Sequence, residues 1–427
     1  MLLFRMLMMV VLLAGSACAA TPPNVVLIVS DDQGWGDYGF MGSKEVETPH
    51  LDRLARESLC FRRGYVPSSL CCPSLASIIT GRQPHRHGIT SNDPPNRGGV
   101  AGGKFQASAE FRDGRERMNQ FMDAQPTLPR QLVGAGYLAL QTGKWWQGDF
   151  RRGGFTHGMT KGGRHGDEGL DIGRKTLEPI YEFIEEAGRE KKPFFVWYAP
   201  MLPHQPHNPP QELFEKYAKR TDSVHLARYW AMVEWFDQTC GQLLGHLERQ
   251  GLAENTVVAY VVDNGWIQQR DAAGYAPKSK QSPNEGGLRT PILVRWPGRI
   301  APRMVDTPVM SLDLYPTLLR LAGVEVPAGC DGVDLLEEAQ VNGRRSVQGA
   351  VYTHNAVDLD QPAASLRWRW MLRDGMKVLV PTALEAGAHP QLFDVVRDPH
   401  EEQDLAGQKP DLLVELTGAM DGWWTGR

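Results

Sequence analysis

Short runs of consecutive apolar and β-branched residues alternate along this chain with stretches whose apolar positions recur every three or four residues. The runs at 24–30 (NVVLIVS), 137–142, 193–198 (PFFVWY), 256–262 (TVVAYVV) and 292–295 predict strands buried on both faces. Between them the spacing predicts helices over 48–58, 127–136, 177–190, 225–250 and 311–322, the first opened by Thr48 and an early Pro49. Residues 74–80 read as the first turns of a further helix, stopped at Gly81. Strands alternating with helices predict an α/β fold: a mostly parallel central sheet with helices on both faces. After about residue 349 the pattern changes to short strands near 368–370 and 377–380 and a terminal helix, which predicts a catalytic-size domain over 21–349 and a small α+β subdomain over 350–427. Two segments, 92–123 and 148–173, show weak periodicity and many Gly and charged residues; they read as irregular loops that carry the substrate-facing surface.

The net charge of −4 offers no electrostatic case for nucleic acid or for an anionic membrane surface. Residues 1–20 hold one Arg, an apolar run and small residues around Ala17-Cys18-Ala19, which is the pattern of a secretory signal cleaved near Ala19 or Ala20. It is too short and too weakly flanked for a stable membrane span. Processing as a lipoprotein at Cys18 is the lesser alternative, because Gly15 stands where a bulky apolar residue is usual. The chain is therefore expected to be exported, to a periplasmic or extracellular site. Its cysteines are Cys18, Cys60, Cys71, Cys72, Cys240 and Cys330, so signal removal leaves an odd number and flags one thiol with another fate. The adjacent pair Cys71-Cys72 is too close in sequence for an unstrained disulfide.

In a parallel α/β sheet, ligands bind at the carboxyl ends of the strands. Those ends carry Asp31-Asp32, Gly143-Lys144-Trp145-Trp146, a Pro203–His207 segment with His204, and Asp263-Asn264-Gly265. Singly, an Asp-Asp or an Asp-Asn-Gly is more often a turn. Together, carboxylates and one amide from two strand ends make an all-oxygen cage suited to a hard dication such as calcium or magnesium. Lys144, His204 and Lys280 would add positive charge and proton donors beside it, the composition of an ester hydrolase for sulfate or phosphate. Cys71-Cys72, ahead of a helix, stands where a nucleophile would be required.

These residues sit in segments that resemble the type I sulfatases of the alkaline phosphatase-like superfamily, from Asn24 to about Ala406. The segments are NVVLIVSDDQGWGDYG (24–39), CCPSLASIITGRQPHRHG (71–88), TGKWW (142–146), PHQPH (203–207), VVDNG (261–265), NEGGLRTP (284–291) and LFDVVRDPHEEQDLA (392–406). The resemblance implies that Cys71 is oxidised by a formylglycine-generating enzyme to formylglycine, whose hydrate attacks sulfur and forms a sulfate hemiacetal that then collapses. It implies one calcium held by Asp31, Asp32, Asp263, Asn264 and the formylglycine at Cys71. Lys144, His204 and Lys280 match the residues that bind sulfate and protonate the leaving oxygen, Lys280 by its place five before Glu285. Glu285 and Arg289 are expected to pair and hold the Gly286-Gly287 loop. A sulfated polysaccharide or oligosaccharide is the implied substrate, with Gln33, Trp35 and Trp146 as candidate lining for the leaving group.

Two positions depart from the family pattern. Leu75 stands at the signature Arg, and Trp146 stands where His usually follows Gly-Lys-Trp. Leucine carries no charge, and indole cannot accept a proton. Three readings stay open: a sulfatase in which another group, with His157 and His165 as candidates by position, replaces the histidine; a phosphate or phosphonate ester hydrolase on the same site; or an impaired homologue that binds sulfated glycans.

Overall fold

Nine strands build the main sheet of this computed structural model, which describes residues 21–426. The expected signal sequence over residues 1–20, with Cys18, lies outside the described residues. The strands are β1 (Asn24–Ser30), β2 (Leu59–Tyr65), β3 (Leu138–Gly143), β4 (His157–Gly158), β5 (Phe194–Ala199), β6 (Thr256–Val262), β7 (Arg289–Arg295), β8 (Arg303–Val305) and β9 (Val309–Met310). Their order is β4-β3-β5-β1-β6-β7-β2-β8, with β9 also on β2. Only β7 runs against its neighbours. The consecutive parallel set β3, β5, β1 and β6 brings four strand ends to one edge.

Successive side chains of a strand point to opposite faces. Val25, Leu27 and Val29 of β1 pack with Val257, Ala259 and Val261 of β6 under the helices Cys71–Thr80, Leu128–Gly134 and Leu314–Leu321. Val26 and Ile28 pack with Val258, Tyr260 and Val262 under Pro49–Arg56, Glu178–Glu190 and Val224–Arg249. Both faces are covered, which is why these strands read as unbroken apolar runs.

A second, antiparallel sheet contains β10 (Val347–Tyr352), β11 (Leu366–Arg373), β12 (Met376–Pro381) and β13 (Gln391–Asp394). The sequence boundary between residues 349 and 350 falls within β10. One face packs Trp370, Leu372 and Phe393 on Tyr65, Val66, Leu288 and Met310 of the main body. The other face packs Met371 and Val378 on Leu416 and Met420 of the terminal helix Pro410–Trp423. No helix among the described residues is long and apolar enough to cross a membrane. Cys60, Cys71, Cys72, Cys240 and Cys330 are all free thiols.

One expected loop is a helix. Within 92–123, residues Ala109–Asp123 are helical, capped by the Ser108 hydroxyl, which accepts from the Phe111 amide at 3.1 Å. Phe111, Met118 and Met122 make its apolar stripe, but Arg115 and Asn119 are buried on it as well. Those two polar residues hide the helical period. Segment 148–173 holds only short 3₁₀ pieces and β4.

The joint between the sheets is polar and buried. Lys377 Nζ lies 3.0 Å from Glu285 Oε1 and 3.1 Å from Glu401 Oε1, and Tyr65 OH donates to Glu285 at 2.9 Å. Arg289 reaches Glu285 only at 3.9 Å, so the expected Glu285–Arg289 pair is secondary to Lys377. Removing the cation closest to two buried carboxylates leaves charge that Arg289, at 3.9 Å from Glu285, compensates only in part. Lys377→Met should therefore lower stability by about 3–5 kcal/mol, measured by denaturant unfolding. A loss within experimental error would contradict this account of the joint.

His87 ties the helix Cys71–Thr80 to the chain that follows it: Nε2–H donates to Ser77 Oγ at 3.0 Å and Nδ1 accepts from Ile89 N at 3.1 Å. Burial pushes its pKa down to about 3. A histidine held neutral in the fold contributes stability that is complete above its unfolded pKa, about 6.5, and is lost as pH falls toward the folded value. Between pH 7 and 5 this group alone should cost about 2 kcal/mol. His87→Gln should flatten that part of the unfolding profile; an unchanged slope would refute the assignment.

Candidate active site

The first helical residue after β2 is Cys71, because the helix starts there and not at Ser74. The chain reaches it through Leu70 in extended conformation and leaves the helix at Gly81 in the left-handed region. Cys71 Sγ lies 3.2 Å from Lys280 Nζ. Cys72 faces elsewhere: its amide donates to Asn92 Oδ1 at 2.9 Å, and its sulfur accepts from Gln147 Nε2 at 3.0 Å. The two neighbours therefore occupy different surroundings.

β1 ends in Asp31 and Asp32, and β6 ends in Asp263 and Asn264. Asp32 takes a left-handed backbone with φ 61°, and its amide donates to Asp263 Oδ1 at 3.1 Å. Asn264 Nδ2 donates to Asp32 Oδ1 at 2.7 Å. Lys280 Nζ bonds both oxygens of Asp32, at 2.6 and 2.7 Å. Lys144 comes from the end of β3, where Gly143 passes so close to β5 that a Cβ would stand 1.9 Å from the Ala199 carbonyl oxygen. Only glycine fits, and its φ of 75° turns the chain so that Lys144 Nζ reaches Asp31 Oδ1 at 2.6 Å and Asp263 Oδ2 at 3.5 Å. His204, after β5, donates Nδ1–H to the Gln205 carbonyl and places Nε2 3.4 Å from Asp32 Oδ2. All the sequence-predicted site residues, Asp31, Asp32, Cys71, Lys144, His204, Asp263, Asn264 and Lys280, thus meet at one sheet edge.

Three buried oxygens of this set, Asp31 Oδ2, Asp263 Oδ2 and Asn264 Oδ1, have no hydrogen-bond partner among the described residues. Buried polar atoms in folded proteins are nearly always satisfied. Ligand-capable atoms of Asp31, Asp32, Cys71 and His204 lie within 4.8 Å of one another. That geometric grouping takes in His204 where the sequence set has Asp263 and Asn264. The unpartnered oxygens favour the sequence set, because Asp263 Oδ2 and Asn264 Oδ1 are buried without a hydrogen-bond partner, whereas the His204 ring is already held through Nδ1 by the Gln205 carbonyl. An oxygen-rich, buried donor set of this kind fits a hard dication.

The charges agree. Three carboxylates face two ammonium groups, a balance of −1 that a dication would turn to +1, the sign needed for an anionic substrate. Burial pushes Asp263 up to about 7, with the Asp31 charge adding to it; burial also raises Asp31, against the pull of Lys144. For Asp32, burial acts upward, but Lys280, His204 and Lys144 outweigh it and hold the carboxyl well below the usual range. Burial pushes the Cys71 thiol far up despite both lysines, so the unmodified residue is a neutral thiol and a poor nucleophile. Burial, aided by Lys144, pushes His204 down to about 3.

The departures have clear settings. Leu75 is buried in the apolar layer under the sheet. Trp146 is buried with Nε1 unpartnered, and its ring is surrounded by cations: Arg164 at 4.9 Å, Arg115 at 5.3 Å and Lys144 at 5.9 Å. Arg115, Arg164 and their shared carboxylate Asp93 were not among the sequence candidates; Arg115 lay hidden in the segment read as loop. Gln33 does not line a pocket, since it is fully buried and accepts from Ser30 Oγ at 2.6 Å. Trp35 does: with Trp230, Trp266, Lys278 and His400 it lines a cleft of about 480 Å³ beside the strand ends.

A sulfatase family model matches residues 23–324, and an N-sulphoglucosamine sulphohydrolase C-terminal model matches residues 279–417. N-acetylgalactosamine-6-sulfatase of Canis lupus familiaris is 30% identical, the match covering 91% of this chain and 83% of that protein. Arylsulfatase A of Homo sapiens is 29% identical over 91% of this chain and 80% of its own length. The crystal structure of Ps i-CgsB superposes with a TM-score of 0.72 at 25% identity, covering 95% of this chain and 94% of that one. A chain solved in complex with its substrate, D-glucosamine-2-N,6-O-disulfate, shares the fold, with a TM-score of 0.73 at 20% identity over 95% of this chain and 98% of its own.

Proposed function

This chain belongs to the sulfatase family, and on that premise we propose that it removes sulfate from a sulfated carbohydrate or an aryl sulfate through a formylglycine made from Cys71 beside one calcium ion. The observation that carries the reading is the set of unpartnered buried oxygens on Asp31, Asp263 and Asn264 next to Cys71 and the two lysines. A bound dication would polarise a sulfate oxygen, and an aldehyde hydrate at residue 71 would supply the attacking oxygen. Asp31, Asp32, Asp263, Asn264 and residue 71 would hold the ion.

The rest belongs to side chains of this protein. Lys144 and Lys280 bind the sulfate oxygens and offset the charge that builds on them. His204, oriented through Nδ1 by the Gln205 carbonyl, presents Nε2 to the site, where it would have to take up a proton before passing one to the leaving oxygen. A bound sulfate raises the low affinity of Nε2 for that proton, since an adjacent anion favours imidazolium. Low exposure of the whole set keeps bulk water from weakening these contacts.

A carbohydrate substrate is supported by the sulfated sugar in the name of the N-acetylgalactosamine-6-sulfatase relative and by the cleft beside the site, which Trp35, Trp230 and Trp266 help to line. We take residues 21–349 as the catalytic domain, the protein as exported, and a formylglycine-generating enzyme as its transient partner. The test is release of sulfate from 4-nitrophenyl sulfate and from sulfated oligosaccharides, with and without chelator, alongside phosphate release from 4-nitrophenyl phosphate. Calcium-restored sulfate release supports the reading. Phosphate release in its place moves the assignment to a phosphate ester hydrolase. Glycan binding without turnover, the reading that Leu75 and Trp146 favour, contradicts it.

A further inference from the structure

His165 stands over the candidate site on a backbone that few residues adopt. Its φ is 72°, followed by Gly166 at 128° and Asp167 at 49°. Such left-handed backbone at non-glycine residues costs free energy and persists only where the surroundings impose it. They do so here. The Trp145 amide donates to the His165 carbonyl at 3.0 Å, and Thr160 Oγ1 donates to the Gly166 carbonyl at 2.7 Å. Asp167 Oδ2 accepts from the amides of Lys161 and Gly163 at 3.0 and 2.6 Å. A Cβ on Gly166 would stand 2.4 Å from the Gly143 carbonyl oxygen, so the turn is pressed onto the strand end that delivers Lys144.

The ring is held as firmly. It meets the edge of Trp146 at 4.4 Å between centroids and lies 5.9 Å from the His204 ring. Arg164 Nη1, which can only donate, lies 2.9 Å from His165 Nε2. Arg164 is in turn fixed by two bonds to Asp93, at 3.0 and 2.9 Å, and Asp93 by Arg115 at 2.7 Å. Because Nε2 accepts from a guanidinium, the proton of the neutral ring resides on Nδ1. Burial and the neighbouring Lys144, Arg164 and Lys280 charges keep the ring neutral. His157, the other histidine of this segment, is engaged with Thr156 at 2.8 Å and Glu186 at 3.2 Å on the edge strand and has no place in the site.

Resting on the sulfatase reading above, we infer that His165 binds the sulfate group by donating Nδ1–H to one of its oxygens, beside His204, at the corner where Trp146 replaces the family histidine. Its role is that of a neutral donor. It does not restore a base, because its one lone pair is taken by Arg164.

The experiment compares wild type with His165→Asn and His165→Gly. Asn tolerates the left-handed backbone and places an amide N–H near the position of Nδ1–H; Gly removes the ring without a backbone penalty. Steady-state rates on 4-nitrophenyl sulfate, inhibition by inorganic sulfate and the pH profile are the readouts. The Gly variant should lose about 10- to 100-fold in kcat/KM, and sulfate inhibition should weaken in step. Asn should recover most of both, with the acid limb of the pH profile unchanged in all three proteins. Wild-type behaviour in the Gly variant overturns the inference, and so does an Asn variant no better than Gly. If the wild type releases no sulfate, the sulfatase reading has failed separately. The shift in unfolding temperature on adding sulfate then decides: a smaller shift in Gly than in wild type and Asn supports the donor, and equal shifts overturn it.

Discussion

Cys71→Ala should retain no more than about one part in 10⁴ of the wild-type rate of sulfate release, the scale on which hydrolases lose activity with their nucleophile. Cys72→Ala should stay close to wild type. The two residues share the same helix end and nearly the same burial, so position in the chain does not separate them. Their surroundings do. Cys71 Sγ is 3.2 Å from Lys280 and lies among ligand-capable atoms of Asp31, Asp32 and His204, whereas Cys72 faces Gln147. Burial also holds the Cys71 thiol protonated. An unconverted thiol at that place would add little to catalysis, and Cys71→Ser should be as inactive as Cys71→Ala. Because alanine leaves at most a small void, matched unfolding temperatures should show that both variants fold. Initial rates on an aryl sulfate decide the matter. Appreciable turnover in Cys71→Ala would mean that the nucleophile lies elsewhere.

Removal of the dication is expected to abolish turnover and to lower stability together. Without it, Asp31 Oδ2, Asp263 Oδ2 and Asn264 Oδ1 remain buried without a hydrogen-bond partner, and three carboxylates outnumber two ammonium groups. A ligand that binds only the folded state stabilises it in proportion to the logarithm of one plus the ratio of its free concentration to its dissociation constant. Calcium at about a thousandfold excess over its dissociation constant would add about 4 kcal/mol. Denaturant unfolding in chelator and in excess calcium measures that difference directly. In Asp263→Asn the difference should shrink, because one anionic ligand becomes a neutral amide and the attraction for the ion falls with it. Equal stability in chelator and in calcium would show that the orphaned oxygens are not a cation site.

The site was legible because it obeys a topological rule. Continuous apolar runs identified β1 and β6, and whatever follows such a strand in a parallel sheet lies at the ligand edge. Asp31, Asp32, Asp263, Asn264 and, after β3 and β5, Lys144 and His204 are therefore readable from neighbours in sequence alone. Lys280 is different. It follows no strand, and only its spacing from Glu285 in a family segment places it beside Cys71. β2 escaped notice because Arg62-Arg63-Gly64 interrupts its apolar run; Arg62 reaches out to Asp306 and Arg63 to the Val395 carbonyl. The helix Ala109–Asp123 was hidden for the opposite reason, that polar Arg115 and Asn119 point inward. Its loss from the reading also hid the Arg115–Asp93–Arg164 chain behind Trp146. His165 was a candidate only by its position in the Gly-rich segment, alongside His157, and no periodicity could have separated the two, since the place of His165 depends on a left-handed turn pressed against Gly143. Glu285 was read as structural and is, but its dominant partner, Lys377, comes from the small sheet, beyond the reach of any local pattern.

The reading as a whole depends on the chemical fate of one residue. Mass spectrometry of the tryptic peptide 64–82, from protein produced in its native host, reports that fate with both cysteines in the same fragment. The account predicts formylglycine at Cys71 beside an intact thiol at Cys72, which would also show that maturation accepts Leu75 in place of arginine. Two intact thiols in folded protein would contradict it.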